Sequence, residues 1–162
     1  MKYLTGIHAL NLPCKLNTCG DWHCSGLRWE NLSLQESEQS IWGDYGIELH
    51  MSIPFLSETD TYNVANHIRA LLDLLYEGNF SIAQGMKEDF ICTDEYDEEI
   101  FGKVLLLKGF QSWNSINDFM LLEYKDKWSD YLNDRKNVLR QRSLAGFYGQ
   151  RQTAKKQRCM PY

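Results

Sequence analysis

Gly46-Ile-Glu-Leu-His-Met-Ser-Ile53 is the stretch whose reading decides the fold. Ile47, Leu49, Met51 and Ile53 alternate with Glu48, His50 and Ser52. That period of two belongs to a strand with one buried face, because successive side chains on a strand point to opposite sides. Downstream the period changes. Val64, Ile68, Leu71, Leu72 and Leu75 recur at helical spacing, which predicts a helix opened by Thr59 or Thr61, running to Tyr76 and stopped by Gly78. Upstream, residues 3–10 and 27–34 read as two further strands. Between them, residues 11–26 are rich in Cys, Asn, Gly and Pro and read as a long loop.

Beyond residue 78 the pattern is helical. A short helix is expected over residues 80–90, weakened by Gly85. Residues 94–110 admit two readings. Glu95, Asp97, Glu98 and Glu99 suit the positive end of a helix, whereas Val104-Leu-Leu-Leu107 between Gly102 and Gly109 suits a buried strand. Ser112 or Ser115 is expected to cap a long final helix carrying Leu121, Tyr124, Trp128, Tyr131, Leu132, Arg135 and Leu139, ended by Gly146 and Gly149. Strands first and helices after is the α+β pattern. The expectation is a small N-terminal antiparallel sheet covered by three to five helices, with a long C-terminal helix and a basic tail. Residues 1–145 would form one α+β domain and residues 146–162 the tail.

Composition agrees with a folded chain. With 162 residues, 43% of them hydrophobic and 24% charged, the sequence can bury a core without covalent staples. Its longest aliphatic run, Val104 to Leu107, is far below the roughly 20 residues needed to span a bilayer. The N-terminal Met-Lys-Tyr-Leu-Thr-Gly-Ile-His lacks the apolar region of a secretory signal. The five cysteines, an odd number, fit reduced thiols better than a disulfide framework. Together these features give the expectation of a cytoplasmic protein with no membrane contact.

The densest chemistry lies in the loop. Cys14, Cys19, His23 and Cys24 form a C-x4-C-x3-H-C array, with His8 upstream and Asp21 inside it. Thiolate and imidazole are the donors zinc prefers, so these four are the candidate metal ligands and zinc the candidate ion. The spacing lacks the paired knuckles of structural zinc sites, and adjacent His23 and Cys24 need a bend to face one ion. A second reading makes Cys19 a catalytic thiolate, with His23 or His8 as base and Asp21 as orienter. A plainer reading buries the cysteines as small hydrophobes, with Thr18, Asn17 and Asp21 satisfying turn backbone.

The second unusual feature is electrostatic. Residues 135–162 carry eight basic side chains and no acidic one, which leaves residues 1–134 at a net −13. Arg140, Arg142, Arg151, Lys155, Lys156 and Arg158 are the candidate contacts to nucleic acid or another anion, with Phe147 and Tyr148 placed to stack on bases. Residues 88–99 hold seven carboxylates, a counterpart for the tail in this chain or another. There is no Walker loop, GxGxxG, HExxH or nucleophile elbow. The expectation is therefore a small regulatory interaction protein, of the kind that neutralises or recruits another protein as antitoxin-like or defence-accessory proteins do. Its acidic body would meet a protein partner and its basic tail a nucleic acid or acidic partner. The alternative is a small metal- or thiol-dependent enzyme centred on the loop between Cys14 and Cys24.

Overall fold

The computed structural model describes residues 1–21, 26–54, 56–57 and 59–157, and the side chains of these up to residue 142. Its class is α+β, as the sequence implies. Four strands, β1 (Lys2–Leu4), β2 (Leu34–Glu36), β3 (Ile47–Ser52) and β4 (Thr61–Ala65), form one sheet in the order β2-β1-β4-β3. The two outer pairings are antiparallel, and the central pairing of β1 with β4 is parallel. The expected all-antiparallel sheet thus acquires one parallel pair. Such a pair needs a long crossover, and residues 5–60 supply it.

The strand at residues 46–53 is present, but its alternation is interrupted. Glu48 pairs with Val64 and Met51 with Tyr62, so β3 contains one residue more than β4 across this stretch. His50 absorbs the excess at φ +56, in the left-handed region. The bulge resets the phase of the strand. Glu48 is buried ahead of it, Leu49 is exposed, and Ile53 is buried after it.

Two segments expected to be uniform change type midway. Residues 61–65 are strand, not helix, and α2 (His67–Glu77) begins only after Asn66, whose side chain accepts from the Arg69 backbone N–H. Thr61, Tyr62 and Val64 favour extended backbone, and Val64 fits either periodicity. Likewise β1 ends at Leu4, and α1 (Gly6–Leu10) occupies the rest of the expected first strand. The Asn11 side chain donates to the Ile7 carbonyl at 2.9 Å and closes that short helix. Its buried residues lie against α2. Residues 27–33 turn, and strand structure starts only at Leu34.

Helix α2 is buried on every side from His67 to Leu75. It therefore has to bury charge as well as hydrocarbon. Arg69, with no exposed surface, donates from Nε to Asp73 Oδ1 at 2.9 Å, from Nη1 to the carbonyls of Gly43 and Tyr45 at 2.7 Å each, and from Nη2 to the Tyr3 hydroxyl at 2.6 Å. Thr5 and Tyr3 donate to the other oxygen of Asp73 at 2.6 and 2.9 Å. Charge, hydroxyls and loop carbonyls satisfy one another, as a buried ion pair requires. Around this helix the core is apolar, with Leu4, Ile68, Leu71, Leu72, Leu75, Met86, Ile100, Val104 and Ile116 all fully buried.

The second half is helical as expected, with different element boundaries. α3 (Phe80–Ala83) stops before Gly85, which sits at φ +90, and Met86–Ile91 form a π-helical turn. Of the two readings of residues 94–110 the helix prevails. α4 (Asp97–Leu105) has three acidic residues in its first turn and runs into a 3-10 turn at Leu106–Gly109. The expected single final helix is two: α5 (Trp113–Tyr124) and α6 (Asp126–Gln157), separated by Lys125 at φ +51. α6 continues through Gly146 and Gly149, which do not end it. The chain divides into two compact units, residues 1–124 and residues 125–162, the second consisting essentially of α6.

Candidate functional site

The loop after α1 is fastened at many points. Asp21 N–H donates to the Leu10 carbonyl at 2.8 Å, Gly20 N–H to the Phe90 carbonyl at 3.0 Å, and the Tyr96 hydroxyl to the Leu16 carbonyl at 3.0 Å. Gly20 is required where it stands. Its φ is +70, and a Cβ there would lie 2.6 Å from the Leu10 carbonyl oxygen and 2.7 Å from the His67 ring.

Within this frame the two described cysteines of the loop turn to different partners. Cys19 forms a disulfide with Cys92, at the end of the π-helical turn, across a sequence separation of 73. These two were expected as reduced thiols and are paired. A sulfur so bonded is neither a thiolate nucleophile nor a thiolate ligand, so the roles considered for Cys19 do not operate in this state. Cys14 is a free thiol of intermediate exposure. His23 and Cys24, the remaining members of the candidate zinc array, lie outside the described residues, as does the base role considered for His23. Among the described residues no group of three or more His, Cys, Asp or Glu side chains is placed to hold an ion. Asp21 is buried, with its backbone bonded to Leu10. His8 is buried. Its ring nitrogens meet the Ser33 hydroxyl and the Arg28 carbonyl, both at 3.1 Å, which ties the turn after Arg28 to α1.

The partner of Cys14 comes from elsewhere in the chain. His67, the first residue of α2, is 2% exposed. Its Nε2 lies 2.7 Å from the Leu12 carbonyl oxygen, and its Nδ1 lies 2.6 Å from the Thr18 hydroxyl. A carbonyl oxygen only accepts, so Nε2 carries a hydrogen and Nδ1 is the basic nitrogen of the neutral ring. Thr18 Oγ1 lies 3.5 Å from Cys14 Sγ. The hydroxyl is therefore within hydrogen-bonding reach of both thiol and imidazole, able to donate to one and accept from the other. Burial opposes ionisation of Cys14, but hydrogen bonds to His67 and Thr18 outweigh it and bring the thiol down to about 7. Burial likewise opposes a charged His67, and the hydrogen bond and charge of Cys14, the Leu12 carbonyl and the Glu48 carboxylate outweigh it, so the imidazole is raised above its ordinary value. Glu48 also accepts from the Lys15 N–H at 2.7 Å. The bulge in β3 sets the burial of Glu48. Without the extra residue, strict alternation would turn Glu48 outward and leave the imidazole without its buried counter-charge.

The acidic stretch is partly occupied by the fold. The Lys87 ammonium is gripped by Asp94 at 2.5 Å, Asp97 at 2.9 Å and the Thr93 carbonyl at 2.7 Å. Asp97 is buried, whereas Glu88, Asp89, Asp94, Glu95, Glu98 and Glu99 are exposed and form an acidic surface. In the second unit, Tyr131 stacks on Trp128 and takes the Arg135 guanidinium over its ring, 5.2 Å from the centroid. From there every residue in 133–142 is exposed, on all faces of the helix. Arg135, Lys136, Arg140 and Arg142 lie in this run beside Val138 and Leu139, which are 45% and 66% exposed. Arg151, Lys155 and Lys156 lie further along α6, their side chains outside the described set, and Arg158 lies outside the described residues altogether.

No helix of the described residues is long and apolar enough to cross a membrane. No protein-family model matches the chain, and no curated protein or solved structure is significantly similar to it.

Proposed function

We propose that this chain is a small interaction protein of the regulatory, antitoxin-like or defence-accessory type. Its acidic body would meet a protein partner and its basic C-terminal helix an anionic one. The observation that supports the reading is the ten-residue run of α6, residues 133–142, exposed on all faces. Helices in proteins owe most of their stability to packing of an apolar face, and an exposed helix with four cations and two bare aliphatic side chains has no such packing. A partner that neutralises the cations and covers Val138 and Leu139 would supply it. The exposed carboxylates of residues 88–99 repel nucleic acid, which confines any nucleic-acid contact to the helix and leaves the body for a protein.

The test compares the full chain with a variant lacking residues 140–162, using a labelled single-stranded oligonucleotide and a labelled polyglutamate peptide as probes. The full chain is expected to bind at least one probe, and the truncated chain neither, with unchanged thermal unfolding of the body. Equal binding by both chains, or binding by neither, overturns the proposal.

A further inference from the structure

We infer that Cys14, Thr18 and His67 form a thiol nucleophile site whose substrate is a low-molecular-weight disulfide. Three geometric facts carry it. Cys14 is a residue of intermediate exposure, open to approach by a small reagent, while its partner His67 is buried. The Thr18 hydroxyl bridges the two, at 3.5 Å from sulfur and 2.6 Å from Nδ1. The tautomer is fixed by the Leu12 carbonyl, so the basic nitrogen is the one that faces Thr18. The sequence points at the loop but not at the base, because His67 lies 49 residues beyond Thr18.

The step balances without a further reactant. The Cys14 proton passes to Thr18 oxygen as the Thr18 proton passes to His67 Nδ1, leaving thiolate and imidazolium. The thiolate attacks one sulfur of the disulfide. A Cys14–sulfur bond forms as the substrate sulfur–sulfur bond breaks, and the departing thiolate takes the proton back from His67 along the same path. The product is a mixed disulfide on Cys14 and one free small thiol. A disulfide is the electrophile this thiol suits, because exchange is fastest when the attacking thiol titrates near ambient pH. The titratable groups facing the site are His67 from α2, Glu48 from β3 and Tyr96 just before α4. Glu48 favours the imidazolium and so supports the ionised pair. The reading stands apart from the basic helix, and either can fail alone.

The experiment follows the reaction of the full chain with dithiodipyridine from pH 5 to 10, with the adduct located by peptide mass spectrometry. The Cys14 peptide is expected to label with half-maximal rate near pH 7. Thr18→Val and His67→Gln should move that midpoint towards the ordinary cysteine value of about 8.5. At pH 7 the thiolate fraction then drops about fifteenfold, and the greater nucleophilicity of the more basic thiolate reduces the loss in rate to about threefold. A purely structural triad would lower the melting temperature in these variants and leave the midpoint alone. The inference is overturned by a wild-type midpoint at or above about 8.5. It is equally overturned if Cys14 labels no faster than in the urea-unfolded chain, or if a folded Thr18→Val variant keeps the wild-type midpoint.

Discussion

Replacing Arg69 by methionine removes a guanidinium that has no exposed surface and leaves its partner, Asp73, 2% exposed. Three further acceptors lose their donor at once: the carbonyls of Gly43 and Tyr45 and the hydroxyl of Tyr3. Breaking one side of a buried pair costs about 3–5 kcal/mol, because the remaining charge has neither water nor a partner. Thr5 and Tyr3 still donate to Asp73 and hold the cost within that range. Against a total stability of about 5–15 kcal/mol, that is a large fraction. At about 2–4 °C per kcal/mol for a chain of this size, the melting temperature should fall by roughly 6–20 °C. Urea unfolding followed by tryptophan fluorescence measures the loss. Arg69→Met combined with Asp73→Leu should recover part of it, since the stranded charge is then gone. A loss under about 1 kcal/mol for the single variant would refute the claim that this pair organises the centre of the fold.

Other substitutions probe the loop and the site. Gly20→Ala places a methyl 2.6 Å from the Leu10 carbonyl oxygen at a positive φ, and should cost about 1–3 kcal/mol in urea unfolding. Reducing the Cys19–Cys92 bond, which closes a loop with a separation of 73, should lower stability by about 2–4 kcal/mol, read as a shift in the urea midpoint with and without reductant. Glu48→Gln keeps an acceptor for Lys15 N–H but removes the charge that raises His67, so the imidazole titration followed by NMR should move to lower pH. Because a raised histidine stabilises the fold below its unfolded value of about 6.5 and loses that contribution as pH rises through the folded value, wild type should exceed Glu48→Gln in stability most clearly at the acid end of that window.

The fold was legible where one periodicity ran unbroken. Ile68, Leu71, Leu72 and Leu75 give α2, and the alternation from Ile47 to Ile53 gives the position of β3 but not its buried face, which the bulge shifts. Where a segment changed type midway the reading averaged over the junction. Val64 belongs equally to a strand and to a helical stripe, and only Asn66 as a cap marks the change. Gly6 and Thr5 mark the equivalent change between β1 and α1. The bulge at His50 leaves no hydrophobic signature, since its effect is to bury a glutamate. The loop of residues 11–26 stands out in the sequence for its density of Cys and His, yet Cys14 and Cys19 find their partners, His67 and Cys92, far away in sequence. Such convergence is a property of the fold, and composition cannot show it. Charge reversal at residue 135, by contrast, is plain in the sequence, and the exposed run of α6 is its structural counterpart.

The most direct test of the interaction reading is the salt dependence of binding between the full chain and a single-stranded oligonucleotide. Each neutralised phosphate contributes a slope of about −0.7 in log K against log salt, so full engagement of the eight basic residues sets a limit near −5.6. A slope of about −3 to −5 is expected for the full chain. Removing residues 140–162 leaves only Arg135 and Lys136 of that set, and binding is expected to be lost. Binding that is insensitive to salt, or a slope that survives the deletion, would contradict the assignment of the basic helix as the anionic-partner surface.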